Sequence, residues 1–324
     1  MIVNTAPTCD NKKGACVRMS VDYFTYSGLW INDLVFPDGR TKMGLIGGGG
    51  AEAAIGMRVW SDAVGLIAHV APDFPADDRR FLAETCGIDL SGLVPAPYER
   101  FRLWLLYDDD QSRIEVMRGP RDWSQVRLPP AQVPVAYHHA RGIHAVEPDA
   151  EQLAFLRHLK AAYGTALCVE SFTALCAADG HASLEGLLAG VDIFSPDLAD
   201  AMERTGTATP RACLDHLQPT GADVLALRMG AEGSLVRHVP TGRTWHIPAV
   251  PTRVVDVTGA GNAYCGGCLI GLVETGNAAR AGCYGAVAAS FLIEQFALPR
   301  PDAAMRVEAE TRRERVWQAV TRPV

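Results

Sequence analysis

Short apolar runs at 141–146, 166–170, 191–195 and 223–228 read as buried strands. They alternate with helical periodicity at 150–162, 181–189, 198–205 and 210–217. Strand and helix in alternation predict a mostly parallel sheet flanked by helices. Val64 to Val70 adds another buried strand and Ala51 to Trp60 a helix. Ala279 to Phe296 reads as a long small-residue helix, and Ala303 to Val320 as a charged amphipathic one. Val21 to Trp30 predicts a first strand ending near Asn32-Asp33. The turn Pro37-Asp38-Gly39-Arg40 places a hairpin within 23–45. Phe101–Tyr107 and Arg113–Met117 flank Asp108-Asp109-Asp110-Gln111 as a second hairpin. Successive strand residues point to opposite faces, so that acidic tip reads as solvated rather than metal-binding. The pattern predicts an N-terminal extension (1–20) and one α/β domain (21–324). A small β lid is expected from segments near 23–45 and 98–118.

Composition narrows the class. With 324 residues, 48% of them apolar and 21% charged, the chain is long enough for a large globular core. A net charge of −7 argues against nucleic acid or an anionic membrane as partner. No apolar run approaches the roughly 18 residues of a membrane span, and no signal peptide is read. Nine scattered cysteines fit a reducing cytoplasmic setting. Cys265-Gly-Gly-Cys268 has redox or zinc spacing without a second pair, and reads as small buried helix residues. His138, His139 and His144 show no zinc-ligand spacing.

The chemistry concentrates where Val254, Val255 and Val257 predict a strand running through Gly259-Ala260-Gly261 into a helix. Such a corner aims unpaired helical N–H groups at the turn and favours an anion, usually phosphate. A tight turn without a ligand has the same pattern. Gly47-Gly48-Gly49-Gly50 is a second glycine turn entering a helix, where a ligand can approach the backbone.

Asp256-Val257-Thr258-Gly259-Ala260-Gly261-Asn262 resembles the C-terminal signature of the ribokinase-like (phosphofructokinase B type) carbohydrate kinases. Together with Ile293-Glu294-Gln295, it resembles an asparagine-bearing branch of that family. Further segments in family order support the resemblance. Gly48, Gly49 and Glu52 lie in a run similar to the substrate-binding glycine signature, and Asp33 matches the early substrate-gripping Asp. Asp197 and Asp200 stand where the family organises magnesium. Arg228, Gly230 and Gly233 resemble the strand and turn beside the nucleotide. Thr258 lies in the signature itself, and Ala288 and Ala289 lie on the helix that packs on adenine. Asp256 matches a position that helps hold a monovalent cation, K+.

The resemblance implies a ribokinase-like α/β fold, ATP and Mg2+ as cofactors, a small-molecule substrate and a homodimer through the lid. It assigns Gly259, Ala260, Gly261 and Asn262 to the phosphoryl-transfer corner. Asn262, however, stands where the family has its Asp general base. A carboxamide can orient a hydroxyl but has no useful basicity. The expected function is therefore an ATP-dependent kinase for a hydroxyl of a sugar, nucleoside or amino alcohol. Asn262 would orient the nucleophile, or a base would be borrowed from Asp33 or Glu52. The competing expectation is a non-catalytic pseudokinase that binds nucleotide or metabolite as a regulator or scaffold. Asp33 and Glu52 together in the pocket would favour an amine-bearing substrate.

Overall fold

The computed structural model describes residues 21–109, 113–171 and 184–321. Strand β1 (Tyr23–Tyr26) belongs to a large sheet. The chain then turns at Ser27-Gly28 and crosses to a small sheet through β2 (Trp30–Val35) and β3 (Thr41–Gly47). Helix α1 (Gly50–Arg58) returns it to the large sheet at β4 (Val64–Val70), followed by α2 (Ala76–Arg80) and β5 (Ile88–Pro95). The second hairpin, β6 (Arg102–Tyr107) and β7 (Arg113–Arg118), completes the small sheet in the order β3-β2-β6-β7.

The alternating series follows as β8 (Gly142–Ala145), α3 (Ala150–Tyr163), β9 (Ala166–Val169) and β10 (Ile193–Phe194). It continues with α4 (Leu198–Thr205), α5 (Pro210–Leu217) and β11 (Val224–Arg228). Asp149 and Gln152 close a capping box on α3, and Gly164 ends it in the left-handed region, so its boundaries are fixed locally. Two strands that the periodicity did not reveal, β12 (Ser234–His238) and β13 (Arg243–Ile247), add antiparallel edges. Helices α6 (Ala260–Thr275), α7 (Ala278–Ile293) and α8 (Ala303–Gln318) finish the chain. Among the described residues no helix is long and apolar enough to cross a membrane.

Three expectations need correction. Val254–Val257 is not a strand: Val254 is 58% exposed, and Val255 N–H donates to the Ile293 carbonyl at the end of α7. Among the described residues, the β-branched run pairs with no strand of either sheet. Residues 181–183 of the expected helix 181–189 lie outside the described residues, and 185–190 form turns. The first small-sheet segment begins at Trp30, because Tyr23–Tyr26 pairs with β4 and β8 in the large sheet. Asp110 and Gln111 of the hairpin tip lie outside the described residues.

The large sheet has nine strands in the order β13-β12-β11-β10-β9-β8-β1-β4-β5. From β1 the chain builds toward β4 and β5 on one side and toward β8 to β11 on the other. The sheet order therefore reverses beside β1, and ligands in such sheets bind outside the carboxyl ends of the strands at that point. Side chains alternate between two cores. Phe24, Tyr26, Ile143, Leu167 and Val169 enter one, while Tyr23 and Cys168 face the other, which α1, α6 and α7 cover.

Helices α1 and α6 approach backbone to backbone. A Cβ on Gly56 would stand 2.2 Å from the Ala263 carbonyl oxygen, and one on Gly266 2.3 Å from that of Ala53. This contact brings the N-termini of the two helices to one place. Gly56→Leu is expected to cost about 1–3 kcal/mol or more by overpacking. Urea unfolding measures the loss, and an unchanged midpoint would contradict the close contact.

Candidate active site

The C-terminal ends of β1, β8, β9, β10 and β11 open into a cavity of about 390 Å3, within the usual range of small-molecule sites. Its floor holds Gly48, Gly49 and Glu52 from the entry to α1, and Thr258, Gly259 and Asn262 from the entry to α6. Asp197, Asp200 and Arg228 line one wall. The small sheet and the loop after it supply an apolar wall that includes Trp30, Leu103, Leu105, Trp123 and Val126. The Trp30 and Trp123 rings lie 5.5 Å apart, and Phe101 sits 4.5 Å from Trp30.

Gly259 caps α6 with φ +75°, which favours glycine. The helical ladder starts with Ala263 N–H donating to the Gly259 carbonyl. The amides of Gly261 and Asn262 therefore precede the first helical bond. Ala260 N–H donates to the Val257 carbonyl, so this amide closes the turn rather than joining an anion hole. Asp256 is buried, and its Oδ1 accepts from Thr258 N (3.0 Å) and Thr258 Oγ1 (2.7 Å), which shapes the turn from behind. The Tyr107 hydroxyl of β6 lies 2.6 Å from Thr258 Oγ1 and ties the small sheet to this turn.

Glu170, which the sequence reading missed, is the centre of the site. It follows β9, lines the cavity and is buried. Its Oε1 accepts from Arg228 Nη1 at 2.8 Å, and its Oε2 accepts from Asn262 Nδ2 at 2.8 Å. His144 Nε2 lies 3.2 Å from Oε2, and Thr25 Oγ1 lies 3.2 Å from His144 Nδ1. Burial pushes the Glu170 carboxyl up, but Arg228, His144 and Asn262 together outweigh it and hold it at about 2. Burial likewise pulls His144 down, while contacts with Cys265 and Glu170 outweigh it and raise it to about 9. Glu170 is therefore ionised and saturated, a poor proton acceptor. The Arg228 guanidinium lies over Gly261, where a Cβ would stand 1.7 Å from Nη1.

Glu52 is the opposite case. It sits in the first turn of α1, and a Cβ on Gly259 would stand 2.3 Å from its Cγ. The Glu52 and Gly49 amides hold the carboxylate, but Oε2 is buried without a partner. Burial raises this carboxyl to about 7, with the charges of Glu170 and Asp256 adding to the effect against those amides.

Asp33 is not in this cavity. Its neighbour Asn32 lines the wall, so strand alternation turns Asp33 to the other face. There Arg102 Nε and Nη2 grip its carboxylate at 2.7 and 2.5 Å, and Gly44 N–H donates at 2.8 Å. Burial pushes the Asp33 carboxyl up, but these donors outweigh it and leave it low. With Asp33 outside the cavity, only Glu52 of the two carboxyls faces a bound molecule.

Gly230, Gly233, Ala288 and Ala289 are not among the residues lining the cavity. The two glycines form the turn closed by Met229 N–H and the Gly233 carbonyl, and Ala288 packs against Gly267 of α6. Asp197 caps α4 through the Ala199 amide. Burial raises the Asp200 carboxyl, and Asp197 raises it further. A signal for Glu170 was present: a charged residue at the carboxyl end of an apolar parallel strand, where such sheets place ligands.

A family model described as pfkB family carbohydrate kinase matches residues 38–301. The cytidine kinase of Thermococcus kodakarensis is 27% identical over 246 residues, covering 74% of this chain and 84% of its own. Ribokinase from Giardia lamblia superposes with TM-score 0.72 at 15% identity, covering 92% of this chain and 99% of that one. An Escherichia coli protein assigned as a ribokinase II, in complex with ATP and Mg2+, superposes with TM-score 0.67 at 16% identity, over 91% and 99%. The fold is ribokinase-like: a large, mostly parallel sheet flanked by helices.

Replacing Asn262 with Asp would set a second carboxylate against Glu170 Oε2. At pH 7 the N262D variant is expected to lose about 1–3 kcal/mol. Much of that loss should vanish in an E170Q background, a coupling read from the double-mutant cycle in urea. Additive losses would contradict the contact. Glu170 itself is depressed by folding, so its contribution is complete above the ordinary carboxylate value. It is lost as pH falls toward about 2. The acid limb of the stability curve should therefore be shallower in E170Q.

Proposed function

The chain belongs to the pfkB family of carbohydrate kinases, and we propose that it transfers a phosphoryl group from ATP to a hydroxyl of a small sugar- or nucleoside-type molecule. The observation that carries this reading is Glu52: a buried carboxyl in the cavity, near neutral pKa, with one oxygen unpartnered beside the glycine turn. A proton acceptor works best when its pKa lies near the working pH. Glu52 takes the substrate proton in place of the missing Asp. Asn262, its nitrogen held by Glu170, keeps its carbonyl oxygen to accept from the hydroxyl and orient it. The amides of Gly261 and Asn262, with Arg228, receive the charge of the transferring group.

ATP with Mg2+ supplies the phosphoryl group and neutralises its charge. Asp197 and Asp200 fit that cation, because two carboxylates side by side on the cavity wall, with Asp200 raised by its neighbour, are eased by positive charge. Asp256 keeps Oδ2 for K+, since Thr258 occupies Oδ1. The Trp30 and Trp123 wall supports a substrate with a flat, apolar part, consistent with a nucleoside. Exposed Ile114 and Val116 on β7 support a homodimer through the small sheet, which acts as the lid.

A second reading has its own observation. Arg228 and Glu170 fill the space above Gly261, and Asn262 is locked to them, as a nucleotide-binding protein without turnover would tolerate. The Glu52→Gln variant separates the two. If Glu52 is the base, wild-type kcat/KM over sugars and nucleosides rises with pH through about 7. E52Q loses that ionisation and about 10²–10⁴ in rate, while ATP binding persists. ATP binding without ADP release for any substrate in the wild type would establish the second reading.

Stability runs the other way. A carboxyl raised by folding contributes stability below its unfolded value and loses it as pH rises through about 7. E52Q should therefore be more stable than wild type at pH 8, as seen in thermal unfolding. Equal stability there would argue that Glu52 is not buried as described.

A further inference from the structure

We propose that His144, Glu170 and Cys265 form a binding site for a zinc-class divalent cation beneath Asn262. The three come from β8, from the end of β9 and from the second turn of α6. All are buried, and their donor atoms lie within 4.8 Å of one another. Bonds of about 2.0 Å to nitrogen and oxygen and 2.3 Å to sulfur, at tetrahedral angles, separate ligand atoms by roughly 3.3–3.6 Å. His144 Nε2 and Glu170 Oε2, 3.2 Å apart, already stand at that spacing. The thiol has to close by about an ångström or slightly more. One imidazole, one carboxylate and one thiol is a donor set for zinc rather than for magnesium or calcium.

The surroundings suit a ligating set. Thr25 Oγ1 lies 3.2 Å from His144 Nδ1, so a proton donated there leaves the Nε2 lone pair for a metal. Asn262 and Arg228 orient the carboxylate from outside. Cys168, on the same sheet face, is a neighbour of Cys265 and adds a soft donor. Thiolate and carboxylate together balance a divalent ion, leaving the charge of Arg228 for the anion corner. A filled site would brace Glu170, and through it Asn262, independently of whether the protein turns over ATP.

The test is metal analysis of the full chain purified without chelators, followed by replacement with cobalt. About one zinc per chain is expected, with a thiolate-to-cobalt charge-transfer absorption. Cys265→Ser should lose that band, and His144→Ala most of the metal, in proteins checked for cooperative unfolding. Wild-type protein that unfolds cooperatively yet holds fewer than about one zinc or cobalt in ten chains would overturn the proposal. The cation of this cluster would then be the proton on His144. Zinc retained unchanged in Cys265→Ser would overturn it equally, by placing the metal elsewhere.

Discussion

A carboxylate removed from water has to be neutralised where it stands, and Glu170 is built into that position. Two strands and a helix each send one group to it: His144 from β8, Arg228 from β11 and Asn262 from α6, while Glu170 itself follows β9. Breaking a pair of this kind leaves an unpaired buried charge, at a typical cost of about 3–5 kcal/mol. The side chain at position 262 is thus constrained from below before any ligand arrives. An amide suits Glu170 because it donates, whereas a second carboxylate would repel it. The amide at position 262 and the carboxylate of Glu170 beneath it are one structural fact.

The same constraint sets the two buried glutamates of the cavity apart. Glu170 is surrounded by donors and cannot usefully take a proton. Glu52, between the N-termini of two helices, is eased by the Glu52 and Gly49 amides but leaves Oε2 without a partner. Environment alone holds Glu170 at about 2 and raises Glu52 to about 7. The glycines at 56 and 266 make this possible, because only bare backbones let α1 and α6 come close enough to share a corner.

Much of the frame was legible. The alternation of apolar runs located β8, β9, β11, α3, α4 and α5 to within a residue or two, because their periods and caps are local properties. The valine run before the glycine turn misled because β-branching reports a preference for extended backbone, and only a neighbouring strand turns that into a sheet. Asp33 was misplaced by a single step of strand alternation, which no spacing in one chain reveals. Glu170 was missed and His144 set aside because their meaning lies in contacts between residues 26 to 119 positions apart. Ribokinase-like architecture could be read from ordered motifs; the partners of each polar atom could not.

The paired indoles on the apolar wall have an optical consequence. Trp30 and Trp123 stand 5.5 Å apart on the lining of the cavity, with Phe101 against both, and Trp30 also donates to Asn32. Indole emission responds to the polarity and quenching of its immediate surroundings. A molecule settling on this wall displaces water from both rings at once, so the protein carries a fluorescent gauge of occupancy that works whether or not chemistry follows.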